Sequence, residues 1–249
     1  MGKSKISWCD WTWSPIHGCS PVSRGCDNCW ARAMAPRLEG DFKITFHEDR
    51  LEEPIRMKKP RRIFVVPRGD LFHPNVLFET QVKILDVIAE ANHHVFYVLT
   101  KRPGLMQMAV SDYLTQMPAM QYARLGGNVA RMLRHVWWGV SVEGQDEWLT
   151  RIPELLQMED DLNLFVSMEP MLERIEMIPT GCLDRIGWMI LGGESGPEHR
   201  PMELEWVREI RNVCRERKIP FFFKQSSGRF PEQGKELDGE IWEQYPFEW

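Results

Sequence analysis

Short apolar runs alternate with longer amphipathic stretches along most of the chain. The short runs are rich in β-branched and aromatic residues and almost continuously hydrophobic, which is typical of strands buried on both faces of a parallel sheet. The longer stretches have the spacing of helices with one buried face. The predicted strands lie at residues 62–66, 95–99, 136–142, 162–167, 188–191 and 220–223. The predicted helices lie between them, at residues 78–91, 104–116, 146–158 and 204–218.

The alternation of predicted strands and helices indicates the fold class. A further strand is predicted near residues 11–15, which gives six or seven strand–helix units in 249 residues. Such units join parallel strands by right-handed crossovers and predict an α/β fold. Their number favours a complete or partial parallel (β/α) barrel of the TIM type, with an open doubly wound sheet as the alternative. We expect residues 1–249 to form one barrel domain with a cysteine loop at residues 17–30.

Composition and charge limit the class of protein and the cellular compartment that we expect. Hydrophobic residues make up 43% and charged residues 27% of the chain, which is enough for one sizeable core. The net charge of −5 excludes a surface that is basic throughout, and the dense basic segment at residues 56–62 is predicted to be a solvated loop. No apolar run approaches the ~20 residues of a membrane span, and residues 1–10 lack the features of a signal peptide. We therefore expect a cytoplasmic protein without a membrane partner.

Charged residues follow the predicted strands. In a parallel barrel the carboxyl ends of the strands meet at one mouth, so these residues are expected to line a shared pocket. Facing carboxylates are suited to acid–base catalysis or to binding a hard cation, and a lysine is suited to anchoring an anionic substrate. The candidate catalytic residues are Asp70, Lys101, Glu143, Glu169 and Lys224.

Two residues near these strand ends leave alternatives open. Arg102 follows Lys101, and the pair is suited either to binding a phosphate or carboxylate or to forming ion pairs with the strand-end glutamates. His73 lies close to Asp70 in the sequence, so the two are candidates for a shared metal or acid–base site.

The strongest chemical signal is a loop with three cysteines. Cys19, Cys26 and Cys29 have the spacing C-x6-C-x2-C, and cysteines of a cytoplasmic protein are more often metal ligands than disulfide partners. Thiolates are the ligands that iron–sulfur clusters and zinc prefer. A helix predicted at residues 30–38 follows at once, so its N-terminal amides are able to face a negatively charged cluster.

Three thiolates leave one coordination position open. In a [4Fe–4S] cluster, the open iron is able to bind a small molecule. In a zinc site a fourth protein ligand closes the tetrahedron, and His17 or Cys9 is the candidate. Three reduced cysteines without a metal are the remaining alternative. Cys182 and Cys214 stand alone and are predicted to be packing residues.

Further motifs accompany the cysteine loop, in order, over nearly the whole chain. They are WSPIHGC at 13–19, CDNCWA at 26–31, GDLFH at 69–73, VLTKRP at 98–103, GVSVE at 139–143, SMEP at 167–170, GGESGP at 192–197 and FFKQ at 222–225. With these motifs the chain resembles a phage- and bacteria-associated three-cysteine-motif family of unknown function. The layout of that family is similar to that of radical S-adenosylmethionine (SAM) enzymes, in which an early cysteine loop precedes a barrel.

The resemblance implies a radical-SAM-like barrel in which Cys19, Cys26 and Cys29 hold a [4Fe–4S] cluster and SAM binds the fourth iron. It implies that the residues in contact with SAM are Gly192, Gly193, Glu194 and Ser195. Such an enzyme receives an electron from a donor and releases a 5′-deoxyadenosyl radical from SAM. Two features depart from the common pattern: the loop is longer than C-x3-C-x2-C, and the glycine-rich segment lies on a late strand.

Three functions remain as hypotheses. The first is a radical SAM-like enzyme that modifies an unknown substrate, with a nucleic acid or nucleotide preferred. The second is a metal-dependent hydrolase or nuclease on a barrel whose cysteine loop holds a structural zinc. The third is a non-catalytic, metal-binding, phage-related protein, and no feature indicates an oligomeric state. The tryptophans considered for stacking on a base, or for shielding the site, are Trp8, Trp11, Trp13, Trp137 and Trp138.

Overall fold

The computed structural model describes residues 1–38, 40–116 and 130–247. Its strands are β1 (Gly2–Lys3), β2 (Trp11–Trp13), β3 (Ile16–His17), β4 (Thr45–Phe46), β5 (Arg62–Val65), β6 (Val95–Thr100), β7 (Val136–Ser141), β8 (Asn163–Met168), β9 (Ile186–Gly192), β10 (Phe221–Gln225), β11 (Glu236–Leu237) and β12 (Glu240–Ile241). Its α-helices are α1 (Trp30–Leu38), α2 (Glu53–Arg56), α3 (Phe78–Glu90), α4 (Pro103–Thr115), α5 (Ala130–Leu133), α6 (Gln145–Leu155) and α7 (Leu204–Arg217).

The strands and helices predicted from the hydrophobic pattern are present, with differences of a few residues at their ends. The basic segment at residues 56–62 is for the most part an exposed loop before β5, as predicted, and only its two end residues belong to regular elements. Arg56 ends α2, and Arg62 begins β5, where an ion pair with Asp10 at 2.7 Å fixes its guanidinium. Among the described residues, no helix is both long enough and apolar enough to cross a membrane.

The central sheet has eight strands in the order β1-β2-β5-β6-β7-β8-β9-β10. β1 pairs antiparallel with β2, and each later neighbouring pair is parallel. The parallel strands therefore follow one another in chain order. A doubly wound sheet reverses its strand order at a switch point, so that alternative is wrong and the predicted barrel-type α/β fold is confirmed.

The sheet is rolled into a partial barrel. β6 and β9 are three positions apart, a separation of ~14 Å in a flat sheet. Yet the ring centroids of Tyr97 on β6 and Trp188 on β9 are 5.3 Å apart. Trp8, from the loop between β1 and β2, reaches the same rings, with its centroid 5.5 Å from that of Tyr97 and 6.3 Å from that of Trp188. The strands thus curve around these side chains.

Alternate residues of the strands face two different cores. The outward side chains pack beneath the helices in one large apolar core. Because the period of two continues to the carboxyl ends of the strands, the last inward positions lie at the mouth of the barrel. The inward side chains form an aromatic cluster, which we call the barrel interior and which consists of Trp8, Cys9, Phe64, Tyr97, Trp137, Phe165, Trp188, Ile190 and Phe222.

The segment at residues 242–245 links β10, at one edge of the sheet, to the loop between β1 and β2, at the other edge. The Phe223 amide of β10 donates a hydrogen bond to the Trp242 carbonyl at 2.7 Å. The Tyr245 hydroxyl then donates to the Ser7 carbonyl, in the loop between β1 and β2, at 3.0 Å. Tyr245 also packs against the barrel interior. This segment therefore ties β10 to the N-terminal loop.

Gly139 on β7 makes room for the Phe165 ring inside the barrel, because a Cβ at position 139 would overlap that ring. We expect Gly139→Ala to lower the free energy of unfolding by about 1–3 kcal/mol, the usual cost of overpacking, although alanine is otherwise the better strand residue. Urea unfolding followed by tryptophan fluorescence measures the change. Gly181→Ala is the matched control, since an added methyl group there meets no atom within 4 Å. Equal stability of the two variants would contradict this account of the packing.

Candidate metal centre

A cavity of about 240 Å³ lies at the carboxyl ends of the barrel strands. Trp8 and Phe64 belong to both its lining and the barrel interior, so they form its base. The loop cysteines and the strand-end residues thus share one pocket. The residues proposed from sequence that line it are Cys19, Cys26, Cys29, Asp70, Lys101, Arg102, Glu169, Gly193, Glu194, Ser195 and Lys224.

Two glycines let the cysteine loop lie close against the barrel mouth. Gly18 has a φ of 93°, and a Cβ at this position would overlap the backbone of Lys43. A Cβ on Gly25 would overlap the Glu143 carboxylate. A larger residue at either position would therefore push the loop away from the strand ends.

Cys19 lies beside a buried ion pair. Arg102 Nη1 is 3.6 Å from Cys19 Sγ and 2.6 Å from Asp70 Oδ2. Arg102 Nη2 also donates to the Ser20 carbonyl oxygen at 3.0 Å. One guanidinium therefore contacts two consecutive residues of the loop, Cys19 and Ser20. Burial and the Asp70 charge raise the pKa of the Cys19 thiol, and Arg102 acts against them.

Cys26 lies beside a second ion pair. Lys101 Nζ is 3.6 Å from Cys26 Sγ and forms an ion pair with Glu143. Glu143 is fully buried and does not line the cavity; it accepts hydrogen bonds from Arg151 Nη1 at 2.9 Å and from the Ser23 hydroxyl at 3.0 Å. Burial raises the pKa of Cys26, but Lys101 and local hydrogen bonds outweigh it, so the pKa lies below that of an ordinary cysteine.

The loop next to Cys29 is tied to the end of β9. Asn28 Nδ2 donates to Glu194 Oε2 at 3.0 Å, and Arg200 binds both oxygens of the same carboxylate, at 2.5 and 3.0 Å. Burial raises the pKa of Glu194, whereas Arg200 and Asn28 lower it by more, so its pKa lies below the usual range. Each cysteine is thus connected through one other residue to a different carboxylate. Arg102 connects Cys19 to Asp70, Lys101 connects Cys26 to Glu143, and Asn28, next to Cys29, binds Glu194.

Glu169 belongs to a separate polar group at the base of the cavity. Its carboxylate accepts hydrogen bonds from Lys224 Nζ at 2.7 Å, from the Ser167 hydroxyl at 3.1 Å and from Trp8 Nε1 at 3.3 Å. Both Glu169 and Lys224 line the cavity. They therefore offer an acceptor and a donor to a ligand beside an aromatic surface.

Gly193 forms part of the cavity wall, and its backbone is held by Gln225. Its amide donates to the Gln225 carbonyl at 2.9 Å, and its carbonyl accepts from Gln225 Nε2 at 2.8 Å. A Cβ at this position would overlap the backbone of Ser227. Gly192 ends β9 and is not part of the cavity lining, whereas Ser195 is.

Asp70 and His73 have different partners. His73 Nδ1 accepts the Asn75 amide at 3.1 Å, so a neutral His73 carries its proton on Nε2 and donates it to the Ser20 hydroxyl at 2.7 Å. Burial and the Arg102 charge lower the pKa of His73, which favours this neutral form. His73 therefore supports the cysteine loop through Ser20.

The two candidate fourth ligands for zinc are hydrogen-bonded to other groups of the chain. His17 Nε2 is hydrogen-bonded to the Asp41 carbonyl at 3.0 Å, and Cys9 lies in the barrel interior with its thiol on the Ser4 hydroxyl at 3.1 Å. Neither belongs to the cavity lining. In the described ranges, no group of three or more His, Cys, Asp or Glu side chains surrounds a single metal-ion position.

The donor set of the cavity suits an iron–sulfur cluster. Three thiols supply the soft ligands that such a cluster needs and leave one iron for another ligand. Cations stand next to two of the sulfurs, where they offset the negative charge of a thiolate-bound cluster.

Several residues that hold the site were not identified from the sequence. A role for Arg151 could have been predicted, because it lies between the apolar residues Trp148 and Ile152 of α6, where a cation needs a buried partner. The roles of Ser23 and Arg200 could not, because surface residues of these types are common in loops.

The tryptophans considered for stacking are mostly enclosed. Trp13, Trp137 and Trp138 are buried, and Trp8 reaches the cavity only at its base. Trp30, which begins α1, lines the cavity and is 46% exposed. It is therefore Trp30, overlooked in the sequence, that presents a free aromatic face at the cavity.

The chain is similar to known proteins in its family profile and in its fold. The profile of a family described as a protein of unknown function (DUF5131) matches residues 3–246. No curated protein matches. A solved structure of spore photoproduct lyase complexed with dinucleoside spore photoproduct is similar in fold, with 12% sequence identity and a TM-score of 0.52. The likeness covers 85% of this chain and 62% of that one, so this chain spans less than two thirds of the lyase.

Proposed function

We propose that this chain, which belongs to the family of proteins of unknown function DUF5131, is a radical SAM enzyme whose [4Fe–4S] cluster is held by Cys19, Cys26 and Cys29. The observation that carries the proposal is that these three thiols share one cavity with strand-end polar side chains at the mouth of a partial barrel. The fold likeness to spore photoproduct lyase, a radical SAM enzyme, supports it.

When bound by these cysteines and reduced by an external donor, the cluster would supply the electron that cleaves SAM into methionine and a 5′-deoxyadenosyl radical, which would abstract hydrogen from a substrate. In this proposal the residues of the chain bind SAM, orient the reactants and exclude water. The segment Gly193–Ser195, which lines the cavity, contacts SAM beside the cysteine loop. Glu169 and Lys224 orient SAM or the substrate over the base of the cavity, where Trp8 excludes water.

The proposal gives the other predicted catalytic residues a supporting role. Asp70, Lys101 and Glu143 are engaged with the cysteine loop or with the side chains that hold it. Their charges are already paired within the protein. They therefore position the cysteines. Glu169 and Lys224 also pair with each other, but the further hydrogen bonds of Glu169 go to Ser167 and Trp8 and not to the cysteine loop, so proton transfer to a substrate is left to this pair.

SAM cleavage by the reconstituted protein tests the proposal. We expect protein that is loaded with iron and sulfide without oxygen, and reduced with dithionite, to release 5′-deoxyadenosine and methionine from SAM. Cys29→Ala, treated in the same way, is expected to release neither. A protein that holds the cluster and yet neither binds nor cleaves SAM would refute the assignment.

We further propose that the substrate is a nucleotide or nucleic acid. Two observations support this choice: Trp30 offers a half-exposed ring for stacking on a base, and the solved structure with the similar fold holds a dinucleoside. Turnover with dinucleotides and short single strands in deuterated form is expected to place deuterium in 5′-deoxyadenosine. Trp30→Ala is expected to weaken this transfer while the cleavage of SAM alone continues. Absence of deuterium transfer from every nucleic acid tested would contradict this substrate class.

A further inference from the structure

Lys101 and Arg102 are neighbours in sequence but reach different cysteines. β6 ends at Thr100, so the two residues lie at the barrel mouth immediately before α4. Lys101 Nζ is 3.6 Å from Cys26 Sγ, and Arg102 Nη1 is 3.6 Å from Cys19 Sγ. Both distances are those of N–H···S hydrogen bonds.

From these contacts we propose that Lys101 and Arg102 are positioning residues that set the reduction potential of the cluster. The inference rests on the proposed function, since it takes Cys19 and Cys26 as cluster ligands. Hydrogen bonds to the ligand sulfurs and nearby net charge are two of the factors that determine the potential of an iron–sulfur cluster. A donor with a positive charge stabilises the reduced, more negative form, so each of the two side chains raises the potential.

Burial makes these charges effective. The Arg102 side chain is 8% exposed and that of Lys101 is 18% exposed. Solvent and salt screen charges much less in such an environment than at the surface. A substitution that removes either cation is therefore expected to act strongly on a nearby cluster.

The same contacts argue against a role as anchors for an anionic substrate. Arg102 already has an ion pair with Asp70, and Lys101 has one with Glu143. These carboxylates occupy positions beside each cation that an external phosphate or carboxylate would need, whereas the cations keep their contacts with the cysteine sulfurs. They also hold each cation in place, with Arg102 further fixed by donation of its amide to the Thr100 hydroxyl at 3.0 Å.

A redox titration of the reconstituted protein, followed by electron paramagnetic resonance, tests the inference. We expect Lys101→Met and Arg102→Met to shift the midpoint potential of the cluster to more negative values. Lys224→Met is the matched control, because Lys224 lines the same cavity and its hydrogen bond in the structure goes to Glu169 rather than to a cysteine of the loop. Its shift is expected to be smaller than either of the others.

Arg102→Lys and Lys101→Arg keep the charge and guard against loss of the cluster in the methionine variants. They are expected to retain the iron and to have potentials between those of the wild type and the methionine variants. Unchanged potentials in all four variants at full iron content would overturn the inference. Weaker SAM binding at an unchanged potential would overturn it too, in favour of an anion anchor. If the wild-type protein binds no cluster, it is the proposed function itself that fails.

Discussion

Replacing Cys19, Cys26 or Cys29 with alanine is expected to remove nearly all of the iron and sulfide from protein reconstituted without oxygen. The wild type is expected to hold about four of each per chain, the content of one cubane cluster. Three thiols line the cavity, and loss of any one leaves two irons without a protein ligand once the open position is counted. Iron and sulfide analysis, with the visible absorbance of the cluster, measures the loss.

Cys182→Ala is the matched control for these substitutions, since Cys182 is a partly buried free thiol outside the cavity lining. It is expected to keep the full iron and sulfide content. One zinc and no sulfide in the wild type would contradict the cluster assignment. So would a wild-type iron content in any single variant of the three loop cysteines.

The second large effect is expected at Glu143. Glu143→Gln is expected to lower the free energy of unfolding by about 3–5 kcal/mol, because it leaves the buried Arg151 without its counter-charge. The same change releases Lys101 and weakens the contact with Ser23, so the cysteine loop loses part of its support. Urea unfolding of the metal-free protein, followed by tryptophan fluorescence, measures the difference.

Glu209→Gln serves as the comparison for Glu143→Gln. Glu209 forms an ion pair with Arg174 at 2.7 Å, but both side chains are substantially exposed. Solvent weakens such a pair, so this substitution is expected to lower the free energy of unfolding much less than Glu143→Gln does. If the two substitutions cost the same, the buried ion pair around Glu143 does not stabilise the fold as the structure indicates.

The strands and helices were predictable because their signal is local. A buried strand such as β7 or β8 is mostly apolar, and α3 and α7 carry the helical spacing in their own sequence. The order of strands follows from the chain order once a barrel is assumed. The cysteine loop was predictable for the same reason, since its cysteines lie within a few residues of one another.

The roles of the strand-end carboxylates were not predictable, because they depend on partners that are distant in sequence. Glu143 and Glu169 occupy equivalent places after neighbouring strands. Glu143 is covered by Gly25 and hydrogen-bonded to Arg151, whereas Glu169 lines the cavity and is hydrogen-bonded to Lys224. Nothing in either local sequence distinguishes them. The same holds for Trp8, whose place at the base of the cavity follows only from the closure of the sheet.

The bond between Tyr245 and Ser7, which joins residues 238 positions apart, has a consequence for how the protein is made. During synthesis the aromatic side chains between β5 and β10 emerge well before the segment that ties β10 to the N-terminal loop. Until residue 245 has emerged from the ribosome, Tyr245 is not available to pack against these rings. Nascent chains with exposed apolar surface aggregate readily. Closing so long a loop is also slow compared with forming local contacts. We therefore expect the yield of folded protein in cells to depend on chaperones and growth temperature more than its final stability suggests.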